Sequence, residues 1–183
     1  MSEQLEIVIA PDDRLSTPCA PVEKIDEDLA DEARQMLDIM YETEGCGLAA
    51  PQVGLDKRLV VIDVDYDKGK KNPYVLVNPK ILAADGELRD YGEGCLSFPG
   101  ITVHVKRPSH VVVEARNLDG DLIRYEASEN LLAVCLQHEI DHLDGVTMVD
   151  HLGPMGRMRT MRAYREALAS GAKPGDVRSG ADD

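Results

Sequence analysis

The residues best suited to chemistry in this chain are His138, Glu139 and His142, in the stretch Gln137-His138-Glu139-Ile140-Asp141-His142 within an apolar run from Asn130 to Leu143. Histidines four apart on a helix project from one face about a turn apart, so both rings can reach one divalent metal, and the glutamate between them is placed as a base. The plainer reading is a helix end with two exposed histidines. A catalytic metal needs a third protein ligand and an open position. Glu93-Gly94-Cys95-Leu96-Ser97 supplies the candidate: a Cys95 thiolate beside two imidazoles gives three ligands, and the neighbouring glycine suits a loop that approaches a metal closely. A small, buried, inert thiol is the reading that fits Cys19 and Cys135.

The elements that must hold these groups follow from periodicity. Ile25, Leu29, Ala33, Met36, Leu37 and Met40 recur at helical spacing beside Asp26, an N-cap residue, which predicts a helix over 26–43 with a Met-Leu stripe facing the core. Residues 5–9 read as a short strand ended by Pro11-Asp12-Asp13. The run Gly45-Cys46-Gly47-Leu48-Ala49-Ala50-Pro51-Gln52-Val53-Gly54 lacks a P-loop lysine and the strand-before, helix-after order of a dinucleotide fingerprint. Its glycines imply a sharp turn or a close approach instead. Between Arg58 and Tyr125, short apolar runs at 59–64, 74–77, 101–105, 111–115 and 122–125 alternate with Asp67-Lys68-Gly69, Asp85-Gly86 and Asp119-Gly120, which predicts antiparallel hairpins rather than βαβ units. Ser128 is the expected cap of the motif helix. Residues 154–169, opening with Pro154 and aligning Met158, Met161, Tyr164 and Leu168, are the expected last helix. Pro174 to Asp183 reads as a disordered tail. The expected fold is α+β: antiparallel sheets packed around a central helix carrying the histidines, with an N-terminal and a C-terminal helix. Residues 1–173 would form one catalytic domain with its core in 5–150.

Composition narrows the function. The 183 residues suffice for one domain with a sizeable core. No basic-then-apolar leader opens the chain and no stretch approaches membrane-spanning length, so a soluble, cytoplasmic protein with four reduced thiols is expected. The net charge of −14 favours solubility and argues against a general nucleic-acid-binding surface, so no DNA partner is expected. Residues 151–173 are the exception, with Arg157, Arg159, Arg162, Arg165 and Lys173 against Glu166 alone. That segment is suited to a polyanion.

Three motifs, Gly45 to Gln52, Glu93 to Ser97 and Gln137 to Gly145, stand in an order and spacing that resemble the peptide deformylases, over roughly residues 5–150. The resemblance implies a hydrolase that removes the formyl group, as formate, from the formyl-methionine of newly made polypeptides. It implies Cys95, His138 and His142 as metal ligands, with Glu139 as general acid/base on the metal's water. The Gln52 amide and the Leu96 N–H would face the formyl oxygen. A neutral donor such as Gln52 suits a developing oxyanion, and a base that returns the proton spares the amine from leaving as an anion. Backbone near Gly47 and Gly94 would pair with the substrate as an added strand, and Cys46, Leu131, Val134 and Cys135 would line the methionine pocket. Ligand types alone suit Zn2+, whereas the family implies Fe2+, with Ni2+ or Co2+ as active substitutes and Zn2+ as a poorer one. The basic helix at 154–169 would then meet ribosomal RNA, a solvated helix face being the plainer alternative. Cys46, Phe98 and Asp144 depart from the usual family residues, none at a ligand position.

Two other readings compete. A zinc peptidase shares H-E-x-x-H but normally takes a downstream third ligand, and the metzincin continuation fails because position 148 is Met. A closed structural zinc site would leave Glu139 and Gln52 without roles. Formate release from a formyl-Met peptide separates the three.

Overall fold

The structure is a computed structural model that describes residues 4–176. Helix α1 (Glu27–Glu42) starts where expected, with the Asp26 carboxylate accepting a hydrogen bond from the Leu29 N–H at 3.1 Å. Five strands follow: β1 (Gly47–Ala49), β2 (Leu59–Ile62), β3 (Tyr74–Glu93), β4 (Val103–Arg116) and β5 (Leu122–Ser128). They pair in chain order, each neighbour antiparallel, so the antiparallel strands of the expected α+β fold form one five-stranded meander. Helix α2 (Leu131–Leu143) carries the two histidines, and α3 (Pro154–Ala169) closes the order.

β2 shows how the sheet is held. Its four residues, Leu-Val-Val-Ile, are buried on both faces. Val60 and Ile62 pack with Leu76, Val111 and Val113 against Leu136, Ile140 and Leu143 of α2. Leu59 and Val61 turn the other way, onto Leu29, Ala33, Met36 and Met40 of α1. Each such side chain contributes about 1.5–3 kcal/mol on burial, so the helix with the histidines is fixed by a continuous apolar seam.

Several local expectations change. The predicted strand at 5–9 is absent: Val8 N–H donates to Gln52 O at 2.7 Å and Ala10 N–H to Ser97 O at 2.9 Å, so this segment ties two loops together instead of joining the sheet. Asp85-Gly86 is not a hairpin turn but part of an irregularity inside β3, where the register slips between Asp85 and Leu88, and the two runs at 101–105 and 111–115 become the single strand β4. Asn130 caps α2, accepting from Ala133 N–H at 3.0 Å, while Ser128 ends β5. Both are cap-type residues, and only the sheet pairing of Ser128 with His110 decides between them. On α3, Tyr164 is buried against Phe98 and donates from its hydroxyl to Ala10 O, but Met158 is 64% exposed and leaves the expected stripe. The tail residues 174–176 are held, since Gly100 N–H donates to Asp176 O at 2.8 Å; the expectation for 177–183 falls outside the described residues. Among the described residues no helix is long and apolar enough to cross a membrane.

The end of α2 explains one glycine. Val146 N–H reaches back to Asp141 O and Gly145 N–H to His142 O, a Schellman closure that puts Gly145 at φ +73°. A Cβ there would stand 2.8 Å from the Ser16 backbone. Gly145→Ala is therefore expected to cost about 2–3 kcal/mol of stability, read by denaturant unfolding; an unchanged midpoint contradicts it.

Candidate metal centre and cleft

α2 turns both histidines toward the loop after β3. His142 Nε2 lies 3.3 Å from His138 Nε2 and 3.4 Å from Cys95 Sγ. The other nitrogen of His138, Nδ1, is 2.8 Å from Glu93 Oε1. In the neutral ring, an Nδ1–H donated to that carboxylate leaves the lone pair on Nε2, the nitrogen that faces His142. Burial and the neighbouring His138 hold His142 well below the usual histidine range, in the neutral form a ligand needs.

Glu93 is itself fixed from behind. Arg107, on β4 and 4% exposed, spans both carboxylate oxygens of Glu93 and reaches Asp141 Oδ2 at 2.9 Å. Asp141 also meets His151 Nε2 at 2.8 Å. Burial pushes the Glu93 carboxyl up, but Arg107 and then His138 outweigh it and bring it to about 2. Arg107 and Glu93 are therefore a buried ion pair, extended to the half-buried Asp141, that braces the histidines, and these roles were not read from the sequence. A signal existed: Val103, Val105, Arg107 and Ser109 occupy successive inward positions of β4, and a charge on an inward face needs a partner. Seeing it required knowing that β4 is one continuous strand.

The donor set fits a metal. The ligand atoms of Cys95, His138 and His142 all lie within 4.8 Å of one another, a thiol and two imidazoles from a rigid helix and an adjoining loop. Two further buried atoms beside them, His142 Nδ1 and Glu139 Oε2, have no hydrogen-bond partner among the described residues. Burial pushes the Glu139 carboxyl up to about 7. Gln52, 1% exposed, is oriented at both ends. Its Oε1 accepts from Ala49 N–H at 2.9 Å, and its Nε2 donates to Ser97 Oγ at 3.2 Å and toward Cys95 Sγ at 3.4 Å. The Gln52 amide thus faces the Cys95 sulfur and the Ser97 hydroxyl.

A cleft of about 200 Å³ opens onto this group. Of the sequence-predicted residues, Cys46, Gly47, Gln52, Gly94, Cys95, Leu96, His138 and Glu139 line it. His142 sits behind them at 1% exposure. Leu131, Val134 and Cys135 are not part of this lining: Leu131 is largely exposed, and Val134 and Cys135 are buried in or beside the core. Thr43, Glu44, Gly45, Gly175 and Asp176 form a rim that sequence reasoning did not anticipate, since it depends on the chain end folding back.

Gly47 has no side chain because Glu139 occupies the space; an added Cβ would meet Glu139 Oε1 at 2.7 Å. Gly47→Ala must therefore displace the buried carboxylate. The expected result is a fall in kcat of about tenfold to a hundredfold with thermal stability nearly kept. Full activity in the variant contradicts a positioned Glu139.

With this geometry in hand, likeness to known proteins is specific. The profile of the family described as Polypeptide deformylase matches residues 4–158. A peptide deformylase of Hydrogenovibrio crunogenus is 42% identical over 170 residues, covering 93% of this chain and 98% of the relative. One from Cellvibrio japonicus is 45% identical, covering 92% and 98%. Among solved structures, a peptide deformylase from Legionella pneumophila superposes with TM-score 0.85 at 41% identity, covering 92% of this chain and 97% of that one. A peptide deformylase from Synechococcus elongatus in complex with actinonin gives TM-score 0.81 at 40% identity, covering 90% and 88%. A profile match over most of the chain and near-complete coverage of relatives above 40% identity lead to one conclusion: the chain belongs to the polypeptide deformylase family.

Proposed function

We propose that this chain removes the N-formyl group, released as formate, from the N-terminal formyl-methionine of newly synthesised polypeptides. The observation that carries the reading is the convergence of Cys95, His138 and His142 on one point beside Gln52 and Glu139, at the floor of an open cleft.

Cys95, His138 and His142 would hold one divalent metal, for which Fe2+ is proposed with Zn2+, Ni2+ or Co2+ as substitutes. Bound there, it supplies an electrophilic centre that acidifies water toward neutrality. The chain's own residues do the rest. Backbone at Gly47 and Gly94 takes the substrate as an added strand, which reads main chain and so tolerates many sequences. The Gln52 amide and the Leu96 N–H donate to the formyl oxygen as charge develops on it. Glu139 takes a proton from the attacking water and delivers it to the departing amine. The Glu93 carboxylate keeps the His138 ring in the ligand tautomer, and Arg107 keeps Glu93 charged. Cys46 contributes to the methionine pocket at the cleft wall, with Leu131, Val134 and Cys135 as its proposed deeper or outer margin.

The substrate emerges at the ribosome, and α3 exposes Arg157, Arg159, Arg162 and Arg165. Arg157 pairs with Asp150 and Arg162 with Glu166, both at the surface where such pairs exchange readily for phosphate. We assign α3 as a ribosome-docking helix in the cytoplasm; ribosome binding insensitive to salt contradicts it.

The function is tested by formate release. Metal-loaded protein should release formate from a formyl-Met peptide, lose the activity on chelation and regain it with Fe2+. No formate from metal-replete protein overturns the reading.

A further inference from the structure

Cys46 Sγ and Cys135 Sγ lie 3.1 Å apart, and both are free thiols. A disulfide needs about 2.05 Å between sulfurs, so an approach of about 1 Å converts the contact into a bond. The two come from different elements, Cys46 from the glycine loop before β1 and Cys135 from α2, one turn ahead of His138. Their surroundings differ in a way that matters. Cys46 lines the open cleft, while Cys135 is 5% exposed, packed with Leu136 and Ile140 in the core. A small oxidant that enters the cleft therefore meets Cys46 at its half-buried wall, with the Cys135 sulfur held against it.

We propose that Cys46 and Cys135 are a reversible dithiol oxidation site that closes to a disulfide across the wall of the cleft. The oxidant is a hydroperoxide. The Cys46 thiolate attacks the distal peroxide oxygen, the O–O bond breaks, and the alkoxide or hydroxide leaves, giving a sulfenic acid at Cys46. The Cys135 sulfur then attacks the Cys46 sulfur, the S–O bond breaks, and water leaves with the thiol proton. Two thiols lose two protons and two electrons, and the peroxide takes both pairs. Because Cys135 stands against Cys46, trapping as a disulfide precedes over-oxidation. The bond draws the 45–47 loop toward α2, and Gly47 in that loop packs on Glu139. Closure therefore shifts the edge that receives substrate and the carboxylate that serves it. Only this effect on turnover rests on the reading of the cleft as a deformylation site; the crosslink itself does not.

The test treats anaerobically prepared, metal-loaded protein with stoichiometric hydrogen peroxide, then denatures, alkylates and maps peptides by mass spectrometry. The expected result is a peptide pair joined between Cys46 and Cys135, lighter by two hydrogens. A fall in kcat/KM of about tenfold or more should accompany it and be reversed by a dithiol reductant. Cys46→Ser should form no crosslink, and its own oxidative loss should resist reductant. If that variant fails to fold, Cys135→Ser and the wild-type peptide map carry the same decision. Two results overturn the proposal: alkylation of both Cys46 and Cys135 as free thiols in protein inactivated at Cys95, or a crosslink that leaves turnover unchanged. Were formate release absent altogether, the deformylation reading would fail while the peptide map still decided the crosslink.

Discussion

Glu139→Gln should lower kcat by about a thousandfold, within the range for a positioned general acid/base, with no loss of bound metal and no loss of stability. Glutamine keeps the size of the side chain but cannot cycle a proton. It also removes the cost of placing a carboxylate in a site where burial raises its pKa to about 7 and where Oε2 has no partner. In the metal-free protein, a folded-state pKa above the unfolded value means that at neutral pH the buried carboxyl opposes folding, so the amide should melt at the same temperature or higher. Activity and stability therefore move in opposite directions, which a merely structural glutamate would not do. Turnover of a formyl-Met peptide and metal content on the loaded protein, with a thermal melt of the metal-free protein, decide it. A variant that keeps more than about a tenth of wild-type turnover rules out Glu139 as the proton carrier.

Arg107→Met is the second large effect, and it acts on the brace rather than the chemistry. Removing the guanidinium strands Glu93, 5% exposed, without its main countercharge, and releases Asp141 to His151 alone. Breaking one side of a buried ion pair costs about 3–5 kcal/mol. Metal affinity should fall by about tenfold to a hundredfold as well, because Glu93 no longer fixes the His138 ring. Removing both charges together in Arg107→Met/Glu93→Gln should recover part of the stability and little of the affinity. Chemical unfolding and competition with a chelator give the two numbers. A stability loss under about 1 kcal/mol would show that solvent reaches Glu93 and that no buried brace exists.

What the sequence carried and what it hid follow one rule. The histidine pair, the Met-Leu stripe of α1 and the turn-separated strands were legible because each is encoded in the pattern of one segment, and Cys95 was a candidate from its own glycine-flanked motif. Relations between distant segments were not. Segment 5–9 has strand composition, yet its N–H groups are taken by the Gln52 and Ser97 loops, a competition that composition cannot reveal. Asp85-Gly86 has turn chemistry, but the ladder from Leu88 to Glu93 against Val103 to Pro108 carries both strands past it. Ser128 and Asn130 offered equal caps until β5 claimed the first. The sulfurs of Cys46 and Cys135 meet across 89 positions, and nothing local to either predicts the other. The rim at Gly175 and Asp176 is of the same kind, a chain end whose composition reads as tail but whose backbone binds at Gly100.

In the proposed reaction this His-Cys site hydrolyses a formamide and leaves peptide bonds alone. Its most direct test is a product balance: metal-loaded protein incubated without oxygen with a formyl-Met peptide, with formate, free amine and peptide fragments all quantified. The prediction is formate and new N-terminal methionine amine in equal amounts, with every internal peptide bond intact. Fragments from internal cleavage, or metal-replete protein that releases no formate, would contradict it.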